Sequence, residues 1–189
     1  MLKGKCIMKG FERKDQLLSL CGLNCGLCSM RLGGHCGSCG NGNQSCKIAR
    51  CSLEHGGLEY CFECKQYPCG IYEQIEAFDS FITHRTQKSD LNKAKRIGIH
   101  AYHCEQREKI EILEYLLTNY NDGRKKSMFC LAVNLMGLSD LREAVKQIQQ
   151  MNGSEKRPIK EKSAYAAKIL QSIAKQRNIK LKLNKKKKI

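Results

Sequence analysis

The chain has 189 residues and a mass of 21.5 kDa, about one domain's worth of polypeptide, and its 34 basic and 18 acidic side chains give a net charge of +16. Thirteen cysteines stand against 6% aromatic residues and no Trp, which excludes a dense aromatic core and leaves something besides packing to hold part of the fold. No apolar run approaches the roughly 18 residues of a membrane span, and the opening MLKGKCIMKGFERKDQ lacks the apolar stretch of a secretory signal.

A cytosolic location is therefore expected. Thiols stay reduced there, so a dense cysteine cluster reads as metal-binding rather than disulfide-bonded. The charge divides unevenly. Residues 1–70 carry nine basic and five acidic groups (+4), residues 71–152 twelve and eleven (+1), and residues 153–189 thirteen and two (+11). The expected organisation is a basic N-terminal extension over 1–18, a Cys-rich module over 19–70, a helical domain over 71–153, and a basic amphipathic helix with a Lys-rich tail over 154–189. The expected class is mainly α, with the module irregular and built of knuckles and short β pieces.

Ten of the thirteen cysteines fall between Cys21 and Cys69, among glycines that supply positive-φ turns. The spacing is Cys21-x3-Cys25-x2-Cys28-x7-Cys36-x2-Cys39-x6-Cys46-x4-Cys51-x9-Cys61-x2-Cys64-x4-Cys69. A CxxC on a tight turn aims two sulfurs at one point, and two such knuckles complete a tetrahedral zinc site. Cys36/Cys39 and Cys61/Cys64 are expected to share one site. Cys21, Cys25, Cys28, Cys46, Cys51 and Cys69 offer six thiols for a second, and which four serve stays open. Eight thiolates with two Zn²⁺ would contribute −8 + 4 = −4 and cancel the +4 of residues 1–70.

Iron-sulfur clusters also take four thiolates, and the CxxxCxxC of Cys21, Cys25 and Cys28 keeps that reading as the alternative. Its use in radical chemistry would need a large strand-built barrel, which a chain of helical patterns does not offer. Cys69 precedes an expected helix whose N-terminus would favour a thiolate. His35 and His55 adjoin cysteines and could each replace one.

From Gly70 onward the pattern becomes helical. Ile71, Ile75, Phe78 and Ile82 predict a helix over about 70–84. Leu91, Ala94 and Ile97 predict a short one between an N-cap at Ser89 and a stop at Gly98. His100, His103 and Cys104 fall on one helical face, as a third metal site, a Cys–His pair, or simply a partly exposed helix end, the last being the expected reading. Ile110, Leu113, Leu117 and Tyr120 predict the next helix, ended by NDG at 121–123. Residues 126–136 predict a buried helix in which Cys130 is a small hydrophobe. After Gly137 and an N-cap at Ser139, Leu141, Ala144, Val145 and Ile148 predict another, closed by Asn152 and Gly153. Cys6 reads as an exposed thiol.

Beyond Pro158, Ile159, Ala166, Leu170, Ile173 and Ala174 form one face of a basic amphipathic helix, and IKLKL at 179–183 alternates as a short extended piece. Lys168, Lys175, Arg177, Lys180, Lys182, Lys185, Lys186, Lys187 and Lys188 are the candidate phosphate contacts for RNA or another polyanion. Tyr165 is the only aromatic residue of that segment, so it lacks the interleaved rings that stack on single strands.

CGLNCGLC (21–28), GHCGSC (34–39), CKIARC (46–51), CFECKQYPC (61–69) and GRKKSMFCLAVNL (123–135) together resemble the family of small bacterial and archaeal proteins called domain of unknown function 3795. The resemblance covers about residues 19–136. It implies a metal-binding cysteine module followed by helices, with no established activity. The combined expectation is a cytosolic zinc-binding interaction module rather than an enzyme, since no oxyanion donor or catalytic carboxylate is identifiable.

Overall fold

The computed structural model describes residues 8–41, 44–150 and 157–186. The described chain is mainly helical, with seven α-helices: α1 Ser29–Leu32, α2 Lys47–Glu54, α3 Gln87–Ile97, α4 Ile99–Tyr120, α5 Lys126–Leu135, α6 Leu138–Gln150 and α7 Ile159–Gln176. Short 3-10 turns occur at Cys25–Leu27, Cys61–Glu63 and Gly70–Tyr72. The described β structure is an isolated antiparallel bridge between Leu18 and Asn24. Two compact units result, one of residues 1–103 with 184–189 and the other of residues 104–183.

Long helices dominate the second unit because its apolar residues keep helical period. Most of α4 lies in it, and Gly123 at φ +89 supports the turn that follows. In α5 every residue from Phe129 to Asn134 is buried. Asn134 is tolerated there because its amide donates to the Cys130 carbonyl at 2.9 Å and its own carbonyl accepts from Lys109 Nζ at 3.5 Å. Helix α6 buries Leu141, Ala144 and Ile148, and α7 buries Ala166, Ala167, Leu170, Ile173 and Ala174. Both α5 and α6 pack on α7, and the small alanines let backbones approach closely. Helix α7 closes with Asn178 at φ +55, Ile179 N–H bonding Ala174 O at 2.8 Å and Asn178 N–H bonding Lys175 O at 3.1 Å. This is the Schellman arrangement that satisfies terminal carbonyls.

The first unit is built of turns. Two small cores serve it: Leu18, Tyr60, Tyr72, Leu91, Ala94 and Tyr102 form one, and Met8, Phe11, Leu20 and Ala49 the other. Cys61 packs against both.

Several expectations need correction. The stripe Ile71, Ile75, Phe78, Ile82 does not form a helix. After the turn at Gly70–Tyr72 the chain runs irregularly to α3, because Asp79, Ser80, Thr83 and His84 bond locally in ways that compete with helix. Helix α3 starts at Gln87, ahead of Ser89, whose hydroxyl donates to Thr86 O rather than capping. Likewise α6 starts before Ser139. Residues 179–183 form no strand among the described residues. Within the basic N-terminal extension, Met8, Phe11 and Leu18 are buried. Cys6, Asn152, Gly153, Lys187 and Lys188 lie outside the described residues.

Phe129→Ala should cost about 3–5 kcal/mol in the stability of the helical unit, read as a lower urea midpoint by far-UV circular dichroism. A second expectation concerns acid. Arg142 Nη2 bonds Glu108 Oε2 at 2.7 Å, and that hydrogen bond holds the Glu108 carboxyl below its ordinary 4.5. A depressed folded value adds stability above the ordinary value that is lost as pH falls through the folded one. Arg142→Ala should therefore slightly flatten the acid limb of the stability curve, the effect staying small because the pair is exposed.

Candidate metal centre

The knuckles form as backbone turns. Cys28 N–H bonds Cys25 O at 3.2 Å and Cys64 N–H bonds Cys61 O at 3.1 Å, so each CxxC closes in one 3-10 turn that draws its two cysteines together. The Cys36–Cys39 knuckle instead takes Ser38 into the left-handed region at φ +76. Gly22, at φ +97, lets the Cys21 loop lie against α3, where a Cβ would overlap Gln87 O and sit 2.7 Å from Leu91 Cγ.

These turns gather the sulfurs in two neighbourhoods. Cys21 has Cys39 and Cys46 as electrostatic neighbours, and Cys25 has Cys39, Cys21 and Cys28. Cys51 has Cys69 and Cys64, while Cys61 has Cys21, Cys51 and Cys69 and so stands between the two groups. Cys39 has Cys21, Cys25 and Cys46 as neighbours, and Cys64 has Cys51. Cys36 is half-buried, three residues before Cys39. Among the described residues none of the twelve cysteines is in a disulfide. No three His, Cys, Asp or Glu side chains among the described residues form a ready-made ion site.

Burial is the main cause that lifts the Cys21 thiol to about 11 and pushes Cys25 still further up. Cys51, Cys61, Cys64 and Cys69 line a cleft of about 30 Å³ together with His55, room for a water-sized guest. Burial first, and neighbouring thiols after it, raise Cys61 to about 12.

Donors surround the sulfurs. Gln66 N–H reaches Cys64 Sγ at 3.4 Å, the backbone at Leu23 bonds Cys21 and that at Leu20 bonds Cys39. Ser19 Oγ lies 3.3 Å from Cys21 Sγ, and the Tyr72 hydroxyl bonds Cys61. Arg13, whose side chain is fully buried, also bonds Cys39; burial raises the Cys39 thiol, and the Leu20 backbone and the guanidinium offset part of that rise. Its Nε donates to Glu59 O at 3.0 Å, its Nη1 to Leu18 O at 3.0 Å, and its guanidinium carbon lies 5.2 Å from the Tyr60 ring centroid.

Arg13, Ser19 and Tyr72 were missed by spacing arguments, because a charged residue in a basic stretch reads as solvated. His55 is exposed, with Nδ1 2.8 Å from Cys51 O and 3.7 Å from Cys51 Sγ. His35 is exposed beside Cys36. His103 pairs with Asp15 at 2.9 Å, whereas His100 and Cys104 are exposed. Cys130 is buried in α5. The helix expected after Cys69 is only the three-residue turn Gly70–Tyr72, too short to supply a macrodipole. Lys168, Lys175, Lys180, Lys182, Lys185 and Lys186 are exposed, and Arg177 is tied to Asp140 at 2.9 Å. Comparison of the chain with protein-family models, curated proteins and solved structures finds no match.

Gly22→Ala should loosen the Cys21 loop from α3, costing more than the about 1–2 kcal/mol of a left-handed residue alone. Hydrogen exchange of the α3 amides should accelerate. Gly10→Ala, at φ +76 with open space around it, should cost only the backbone part.

Proposed function

We propose that this protein binds metal through its two cysteine neighbourhoods, as structural zinc, and acts as an interaction module whose Lys-rich C-terminus contacts a polyanion. The observation that carries the metal reading is that the cysteines between Cys21 and Cys69 adjoin one another, Cys21, Cys25, Cys28, Cys39 and Cys46 on one side and Cys51, Cys64 and Cys69 on the other, with Cys61 next to both. Free, reduced thiols with amide and hydroxyl donors around them are a soft donor set suited to zinc. Zinc there would neutralise thiolates that otherwise repel, and would tie loops whose own cores are small. Cys36 would join the first group through its knuckle, and His55 would serve the second as a reserve nitrogen ligand.

A second reading is an iron-sulfur cluster, favoured by the meeting of Cys21, Cys25 and Cys28 with Cys39. Elemental analysis and an absorption spectrum on untagged protein purified without oxygen separate the two. About two zinc per chain without visible absorption supports structural zinc; iron with sulfide and a band near roughly 400 nm assigns a cluster instead. Under the zinc reading Cys25→Ser should release one ion and Cys64→Ser the other. Chelation should collapse residues 8–103 to proteolysis while α4 to α7 keep their far-UV signal. Two ions retained in both variants would sink the assignment.

A further inference from the structure

The segment between the Gly70–Tyr72 turn and α3 is irregular but firmly built. Asp79, its side chain fully buried, accepts from His84 N–H at 2.7 Å and from the Thr83 hydroxyl at 3.2 Å. Ser80 Oγ lies 2.9 Å from His84 Nε2, and Ile82 and Thr83 are buried. On this fixed frame Phe78 is 49% exposed and Phe81 71% exposed. Two aromatic rings held outward on a loop that spends its polar groups inward are a standing cost unless something covers them. They are three residues apart, so their Cα atoms are within about 11 Å of each other.

The C-terminal segment is fastened to the same loop. Asp79 N–H donates to Asn184 O at 2.7 Å, and Asn184 N–H donates to Asp79 Oδ2 at 2.7 Å. This two-bond clasp lies between the two phenylalanines in sequence, and the exposed Lys185 and Lys186 follow Asn184 directly in the chain. The Asp79 charge is spent on these bonds and on Arg85 Nε at 3.8 Å, so the surface is apolar and cationic. Rings for bases and ammonium groups for phosphates are what a single strand requires together. A duplex, with its bases already stacked, would use the lysines alone. A lipid surface would ask for a broader apolar face than two rings.

We propose that Phe78, Phe81, Lys185 and Lys186 form a landing site for single-stranded nucleic acid, the rings stacking on bases and the lysines taking phosphates. The proposal extends the polyanion reading of the tail by adding a stacking platform on the loop that holds it, and it is independent of which metal the cysteines bind. Fluorescence anisotropy with full-length protein and a labelled oligouridylate of about 12 nucleotides, within the site size of such binders, tests it against a duplex of equal length and against vesicles containing phosphatidylserine.

Phe81→Ala should weaken the single-strand complex about tenfold, leaving duplex binding and the far-UV spectrum unchanged. Lys185→Gln with Lys186→Gln should instead reduce the slope of log K against log salt by about 1.4 on the single strand. If the lysine variant alone has an effect, the tail reading stands and the platform is refuted. If the oligouridylate does not bind even at low salt, both are refuted. Vesicle binding that needs Phe81, without oligouridylate binding, would replace nucleic acid by a membrane surface.

Discussion

A single buried carboxylate ties the turn-built unit together. Asp15 accepts Leu17 N–H at 2.8 Å on one oxygen and the Tyr60 hydroxyl at 2.6 Å on the other, and that second oxygen is also 2.9 Å from His103 Nε2. Its backbone N–H donates to Glu59 Oε1 at 2.7 Å. Three parts of the chain, far apart in sequence, therefore meet on one residue: the N-terminal strap, the approach to the Cys61 turn, and the first turns of α4. A carboxylate removed from water needs this many donors, since an unpaired one would be costly. Once they are supplied, the strap is fixed and Arg13 can be buried beside Cys39. The position of the cysteines thus follows from polar bonds made outside the cysteine segment itself.

That dependence explains what could and could not be read from the residues in order. Helices α4 to α7 were legible because their apolar positions repeat at helical spacing and are punctuated by Gly123, Gly137 and Pro158. The 70–84 segment has the same spacing and still fails as a helix. Periodicity predicts burial of a stripe, yet Ile71 and Phe78 are exposed while Asp79 and Thr83 hold the chain in a bent path. The knuckles were legible from CxxC, since each is a local turn. How the cysteines group was not, because Cys21 meets Cys39 and Cys46 through a fold held by Asp15, Glu59 and Gly22.

Cys61 shows how packing and thiol chemistry are joined in this unit. It packs against both small cores, bonds the Tyr72 hydroxyl, and is the electrostatic neighbour of Cys21 on one side and of Cys51 and Cys69 on the other. Tyr72 is itself buried in the first core, and its hydroxyl also lies 3.3 Å from the Cys21 carbonyl. Any change in the charge or position of the Cys61 sulfur is therefore felt by both cores and by both cysteine groups.

The helical unit is organised on the opposite principle. Phe129, Leu131, Val133, Leu141, Ile148 and Leu170 are buried apolar side chains, Asn134 and Lys109 bond among them, and the arginines of its ion pairs, Arg142 with Glu108 and Arg177 with Asp140, are exposed. Apolar burial of this kind needs neither reduced thiols nor a bound ion. The turn-built unit draws its order from two small cores and from buried hydrogen bonds such as those on Asp15. On the proposed metal reading, removal of the ion would therefore act on that unit and leave the apolar packing of the helical unit unchanged.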